Sequence, residues 1–415
     1  MKPLKTIWIG CGLFLMVFLY SCGGRQSERI EDSAPPEADL SEKASQWVDS
    51  VYDSMSTEER LAQMLMPAVY ARTDASTLNS IFHYAGDIKV GGILLLKGNA
   101  ASAALIADTL ETLRDRTPRS PGFFISIDAE KGLAMRITDA PEFPWNHDID
   151  PSADDQAFYD YGREIGREAR IIGVNMVLGP VVDIDRSDLH HSGIMKHRSL
   201  GDNPGRVARL ATAYSRGLES VGVASVPKHF PGHGATSADS HKELPEIRID
   251  RRQLYNCDLA PFQEAAESGA SAIMVGHIWV PALDRIKRPA SFSPVIIDTL
   301  LRKVMGFDGL VMVDAVNMEG AQGFNGVDAI RAGADIIIAP ADTRRELTNL
   351  LKAYQEGVLT ERRVSESVRR ILLHKYVKNL HSAHRREENP DNTKIKERLH
   401  EKAPEIISRL KGISR

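Results

Sequence analysis

Short apolar runs alternate with longer amphipathic segments along the chain, from about residue 44 to residue 377. The short runs are β-branched or otherwise apolar, which favours strands, and the longer segments have the amphipathic pattern of helices. Strands that alternate with helices predict a parallel sheet covered by helices. The predicted strands comprise residues 64–69, 92–96, 123–127, 175–182, 224–227, 272–275, 310–313 and 334–338.

About eight strands are what a TIM-type (β/α)8 barrel requires, so the sequence predicts an α/β fold of that type with some irregular strands. A doubly wound open sheet is the alternative that the pattern leaves open. Polar residues directly follow most of the predicted strands; they are Asp128, Asp183, Asp185, Lys228, His229, His277 and Asp314. Because a barrel places its chemistry at the carboxyl ends of its strands, these residues predict an active site at one mouth.

The composition is that of a globular protein with ample core. Of the 415 residues, 42% are hydrophobic and 26% are charged, and the formal net charge is only −4. Acidic and basic residues are mixed along the length, so no basic face predicts a nucleic-acid partner. One catalytic domain is expected over residues 44–380. Residues 381–415 are predicted as a charged helical tail without catalytic content.

The N-terminus has the organisation of a secretory signal. Lysines precede an apolar run over residues 7–20, which is too short for a comfortable transmembrane helix. The run ends in Leu-Tyr-Ser-Cys, which resembles a bacterial lipobox, so residues 1–21 are predicted to be a signal peptide and Cys22 to carry the lipid. An uncleaved anchor helix is the alternative. Both interpretations predict an exported protein held at a membrane, at the periplasmic or outer-membrane face.

The segment after Cys22 is polar and has too little apolar content to fold alone. Residues 22–43 are therefore predicted to form a flexible tether. Cys11 would be lost with the signal peptide, which leaves Cys257 without a partner and excludes a disulfide scaffold.

A histidine-rich loop over residues 228–245 is the densest group of reactive side chains. Histidines with a carboxylate could bind a metal ion, but Lys228 would bring a cation to the same place. The glycines of the loop and Pro231 favour a mobile segment beside a strand end. Asp239 and His241 suggest a proton shuttle, because a carboxylate that hydrogen bonds an imidazole fixes its tautomer and raises its basicity.

The string from residue 228 to residue 241 resembles the signature of the single-domain β-N-acetylhexosaminidases of glycoside hydrolase family 3. In those enzymes a His/Asp dyad on a flexible loop replaces the more common carboxylic acid. Residues 55–64, 198–201 and 367–372 resemble further elements of the family. The resemblance covers about residues 44–376 and implies a TIM-type barrel.

The resemblance also implies roles for individual residues. Asp314 falls where the family has its nucleophile, and an aspartate directly after a buried strand is independently suited to attack a sugar carbon. His241 would be the acid/base, oriented by Asp239. The residues implied to bind sugar hydroxyls are Asp128, Arg136, Arg198, Lys228 and His229.

Two positions depart from the family pattern. The usual Asp-Gln-Glu-Gly-Gly reads Asp-Ala-Glu-Lys-Gly here, so Lys131 alters the floor or the rim of the pocket. Val313 stands before the nucleophile where Thr or Ser is common. Neither change removes a catalytic group, but both could shift substrate preference.

The implied activity is retaining, exo-acting hydrolysis that releases terminal β-linked N-acetylglucosamine from a glycan or muropeptide through a glycosyl-enzyme on Asp314. This mechanism needs neither a metal ion nor an organic cofactor, and a monomer is expected. Two alternatives remain open at this stage. One is β-glucosidase or glycoside phosphorylase activity at the same site, and the other is a non-catalytic glycan-binding lipoprotein.

Overall fold

The computed structural model describes residues 37–186, 195–236, 243–382 and 392–413. The predicted signal peptide, Cys22, Asp239 and His241 lie outside these ranges. Within the ranges, no helix combines the length and the apolar character needed to cross a bilayer.

The parallel strands form two hydrogen-bonded groups that follow the predicted order around a barrel. One group has the order β1-β9-β8-β7 and the other has the order β2-β3-β4-β5-β6. The strands are β1 Leu65–Met66, β2 Ala68–Tyr70, β3 Gly92–Leu96, β4 Phe124–Ile127, β5 Met176–Val177, β6 Ala224–Ser225, β7 Ala272–Val275, β8 Leu310–Val313 and β9 Ile336–Ile338.

Two connections join the groups into a closed wall. Only Pro67 separates β1 from β2, so one continuous stretch of chain pairs with β9 on one side and with β3 on the other. At the opposite seam, the continuation of β6 pairs with β7 through the Met274 N–H to the Pro227 carbonyl (3.0 Å) and the Phe230 N–H to the Met274 carbonyl (2.8 Å). The fold is the TIM-type barrel that the sequence predicts.

Prolines account for two differences between the predicted and the observed strands. The predicted strand 64–69 is split because Pro67 has no N–H to donate to the ladder. The predicted strand 175–182 is reduced to Met176–Val177, since Pro180 interrupts the regular pairing before Val181 forms a single bridge with Lys228.

The main helices cover the outside of the wall and contact the strands through their apolar faces. They are α1 Glu37–Ser54, α2 Thr57–Ala62, α3 Ala75–Ile81, α4 Ala100–Arg116, α5 Asp155–Ile171, α6 Pro204–Glu219, α7 Arg251–Gln253, α8 Ala260–Glu267, α9 Gly326–Ala332, α10 Thr343–Gln355, α11 Glu361–Val377, α12 Asn392–His400 and α13 Ala403–Leu410. Wider helical turns cover Phe82–Ile88, Leu254–Asp258 and Val295–Val304.

Helix α1 corrects one predicted boundary. It begins at Glu37, so the predicted tether boundary at residue 43 is wrong. Ala44, Val48 and Val51 recur at helical spacing and are buried, and the helix packs against α11. This buried face stabilises a helix whose first turns are too polar in sequence to be recognised from composition.

Helix α11 lies across the amino-terminal end of the barrel. The fully buried Lys375 donates to Gln63 Oε1 at 2.6 Å and to the Gly122 carbonyl at 2.8 Å, just before β1 and β4. Arg363 and Arg370 bind Asp335, which precedes β9. Burial holds the pKa of Lys375 well below its usual range. These contacts close the floor of the barrel.

The C-terminal helices also belong to the compact body. Helix α12 packs on α4 and α5, and α13 packs on α5. Ile395, Leu399, Ala403 and Leu410 are buried in these contacts. The few apolar residues of the segment predicted as a charged tail are thus the ones that attach it.

Candidate active site

Asp314 directly follows β8 at the carboxyl-terminal mouth of the barrel. Its N–H donates to the Val275 carbonyl at 3.0 Å, and its Oδ1 accepts the Ala315 N–H at 2.8 Å. The side chain is half-buried. Burial alone would raise the pKa of Asp314, but the His229 and His277 imidazoles and the Ala315 N–H outweigh it and lower the pKa. Asp314 is therefore an ionised, positioned carboxylate at neutral pH.

His277 holds the turn that carries Asp314. Its Nε2 lies 3.1 Å from the Ala315 carbonyl and its Nδ1 lies 2.6 Å from Ser291 Oγ. Because a carbonyl only accepts, Nε2 must carry the proton. The sequence places His277 at the end of a strand but assigns no role to it; the structure makes it a positioning residue.

Asp128, after β4, connects two of the predicted sugar-binding cations. Lys228 Nζ lies 2.8 Å from Asp128 Oδ1, and Arg136 Nη2 lies 2.6 Å from Asp128 Oδ2. Burial acts to raise the pKa of Asp128, but the opposite effect of Lys228 and Arg136 is larger, so the net shift is downward. The carboxylate therefore stays charged inside the mouth.

Glu130 is a site residue that sequence reasoning missed altogether. Arg198 binds it with Nε at 2.7 Å and Nη2 at 2.7 Å, and Lys228 Nζ lies 2.8 Å from Oε1. Burial acts to raise the pKa of Glu130, but Lys228 and Arg198 hold it well below its usual range. Glu130 joins the loops after β4, β5 and β6, which is a contact that no local motif reveals.

His229 is held by Asp183, another strand-end residue without a predicted role. His229 Nδ1 lies 2.7 Å from Asp183 Oδ2, and its Nε2 lies 3.2 Å from Arg198 Nη2. Since a guanidinium only donates, Nε2 accepts and Nδ1 carries the proton. The fully buried Asp183 also accepts the His233 N–H at 2.6 Å. The imidazole is thereby fixed in one tautomer and one orientation.

Asp239 and His241 lie outside the described residues, between two described stretches that are each fixed to the barrel. On one side, a Cβ on Gly234 would lie 1.7 Å from the Ile184 carbonyl, so only glycine fits there. Burial lowers the pKa of His233 to about 4, so this nearby imidazole is neutral at pH 7. On the other side, the Ile247 N–H donates to the Trp279 carbonyl at 2.9 Å, in the loop after β7. The roles of Asp239 and His241 stay predictions.

The structure thus brings Asp128, Arg136, Arg198, Lys228 and His229 into one chain of direct contacts. Asp314 lies beside the same cluster, because its N–H donates to the Val275 carbonyl and Val275 pairs with Phe230, the chain neighbour of His229. In the described part of the chain, no group of three or more His, Cys, Asp or Glu residues is arranged to hold a metal ion.

Replacing Glu130 with glutamine should lower the free energy of unfolding by about 3 to 5 kcal/mol, since it removes the carboxylate that the half-buried Arg198 and the buried Lys228 share. The loss is measured at pH 7 by urea denaturation. The pKa of Glu130 is lower in the folded than in the unfolded protein, so its contribution is present at neutral pH and disappears as the pH falls below about 4. The exposed Glu142→Gln is the matched control, and equal stability of the two variants would contradict the prediction.

Comparison with known proteins places the fold and the site in context. Residues 56–373 match the description "Glycosyl hydrolase family 3 N terminal domain". Beta-hexosaminidase A of Pseudoalteromonas piscicida is 33% identical over 315 residues, which is 68% of this chain and 52% of that protein. Beta-hexosaminidase of Neisseria meningitidis serogroup C is 34% identical over 266 residues, or 61% of this chain and 72% of that protein. The chain thus spans about half the length of the first relative.

A solved structure is also similar to this chain. A family 3 beta-N-acetylglucosaminidase from Paenibacillus is 30% identical with a TM-score of 0.75, over 84% of this chain and 69% of that one. The closed barrel with carboxylates at its mouth has the architecture of a TIM-barrel glycoside hydrolase. Within that class, the chain belongs to glycoside hydrolase family 3.

Proposed function

We propose that this protein is a retaining, exo-acting β-N-acetylglucosaminidase. The observation that carries the proposal is the placement of ionised Asp314 beside the contact chain of Asp128, Lys228, Glu130 and Arg198. A terminal pyranose presents vicinal hydroxyls, which suit bidentate carboxylates and cationic donors at the closed end of a pocket. Asp314 would then face the anomeric carbon.

In the first step, an Asp314 carboxylate oxygen bonds to the anomeric carbon as the bond to the leaving oxygen breaks. His241, oriented by Asp239, gives its proton to that oxygen. In the second step, His241 takes a proton from water, and the water oxygen displaces Asp314. The two inversions retain the β configuration.

The choice of N-acetylglucosamine as the sugar rests on the relatives. The curated proteins from Pseudoalteromonas and Neisseria are named β-hexosaminidases, and the Paenibacillus structure is a β-N-acetylglucosaminidase. The natural source of the sugar would be an extracytoplasmic glycan, such as a peptidoglycan fragment or a chitooligosaccharide. The extracytoplasmic location is proposed from the N-terminal sequence, which would be cleaved after residue 21 and carry a lipid on Cys22.

Incubation with a 5-fluoro N-acetylglucosaminyl fluoride should trap the glycosyl-enzyme, because the ring fluorine slows both steps while the good fluoride leaving group keeps the first step fast. Peptide mapping by mass spectrometry should find the added sugar on Asp314 alone. A label elsewhere would remove Asp314 from the nucleophile's role.

Turnover of nitrophenyl substrates complements the trap. The N-acetylglucosaminide should be cleaved faster than the glucoside, and phosphate should leave the rate unchanged. A preference for the glucoside, or a sugar phosphate as product, would contradict the proposal.

A further inference from the structure

Lys131 and Trp145 form a cation–π pair beside the candidate active site. Lys131 Nζ lies 4.8 Å from the centroid of the Trp145 ring, and both side chains are half-buried. The neighbouring cations Arg136, Arg198 and Lys228 each bind a carboxylate. Among the described residues, by contrast, Lys131 has no carboxylate at ion-pair distance. The ring orients the ammonium without neutralising it.

The pair flanks the part of the site that we assign to sugar hydroxyls. Lys131 directly follows Glu130, and Asn146, next to Trp145, donates from Nδ2 to the Arg198 carbonyl at 2.7 Å. Next to Lys131 in the chain, a Cβ on Gly132 would lie 2.7 Å from Phe143 Cδ2, so the loops that carry Lys131 and Trp145 are packed closely together. The loop that carries Lys131 therefore lies on the side of Asp128 and Glu130.

The chemistry of the sugar indicates which position could meet this cation. C1 reacts, C2 carries the acetamido group, and the vicinal hydroxyls on C3 and C4 are the ones suited to Asp128 and Lys228. Only the exocyclic C6 oxygen is left to carry a substituent without displacing these contacts. An ammonium is a compact point charge that binds sulfate or phosphate well, and its partial burial strengthens the attraction.

We propose that Lys131, supported by Trp145, binds an anionic ester on C6 of the terminal N-acetylglucosamine. The enzyme would then act on chain ends that carry a 6-sulfate or a 6-phosphate group. This inference rests on the proposed function and deepens it by naming the class of terminal sugar.

The test compares nitrophenyl N-acetylglucosaminide with its 6-sulfated and 6-phosphorylated forms as substrates of the full chain. The readout is the ratio of kcat/KM for each ester to kcat/KM for the unmodified sugar. Lys131→Met should lower this ratio about tenfold for at least one ester, mainly through KM, while Lys131→Arg should keep most of it. Lys97→Met, at an exposed lysine after β3, is the matched control and should leave the ratio unchanged.

The outcomes separate this inference from the proposed function. A fall of the kcat/KM ratio in Lys131→Met for only one ester supports the inference and identifies that ester as the preferred one. Turnover of the unmodified sugar with no cleavage of either ester, or an equal ratio in Lys131→Met and the native chain, overturns the inference and leaves the proposed function standing. No turnover of any of the three substrates overturns both.

Discussion

Replacing Asp314 with asparagine should lower kcat by roughly four orders of magnitude, as expected when a group that forms a covalent bond in the reaction is lost. Asparagine keeps the shape and can still accept the Ala315 N–H. It lacks the negative charge that the His229 and His277 imidazoles stabilise in the native protein. The measurement is kcat with the nitrophenyl N-acetylglucosaminide.

The matched control is Asp308→Asn. Asp308 lies just before β8, at the opposite end of the same strand, and its side chain is exposed. This variant should keep the native kcat and the native melting temperature. A small effect at Asp314, or an equal effect at Asp308, would contradict the assignment of the nucleophile.

Replacing His241 with alanine should lower kcat/KM by about two to four orders of magnitude for a substrate whose leaving group needs a proton. The loss should be much smaller with a dinitrophenyl leaving group, because that group departs without protonation. Added azide should then accelerate the second step, since it attacks the glycosyl-enzyme without a general base, and β-glycosyl azide should be the product. Rates across a series of leaving groups measure the effect.

A His/Asp pair elsewhere on the surface provides the control for this prediction. His83 Nδ1 lies 3.1 Å from Asp87 Oδ2 on an exposed helical turn. His83→Ala should leave the rates unchanged. If the loss in His241→Ala did not depend on the leaving group, a proton-transfer role for His241 would be excluded.

The order of the strands could be predicted from the sequence because each is a short apolar run followed by an amphipathic segment. The lengths of the strands were harder to predict than their order. Pro67 and Pro180 remove donors from runs that remain apolar, so periodicity continues where the ladder stops. The start of helix α1 could not be predicted for the opposite reason. Its exposed turns are polar, and only packing against α11 shows that it is a helix.

The site could be predicted as a set of strand-end residues, since a barrel gathers them at one mouth. Their pairings could not be predicted. Glu130 binds Arg198 and Lys228 from different strand ends, and Asp183 holds His229 across 46 positions of sequence. Contacts of this kind depend on where neighbouring strands lie in space. Glu130 therefore looks like an ordinary polar residue in the sequence, and Asp183 looks like a strand-end residue without a specific role.

The closed floor has a consequence for how a long polymer would be trimmed. Because side chains fill the barrel interior and α11 lies across its amino-terminal end, a freed monosaccharide would have to leave through the opening by which the chain end came in. The shortened polymer cannot slide forward while that sugar is still inside. Each cut would therefore require complete dissociation and a fresh encounter, and the enzyme would work distributively rather than processively.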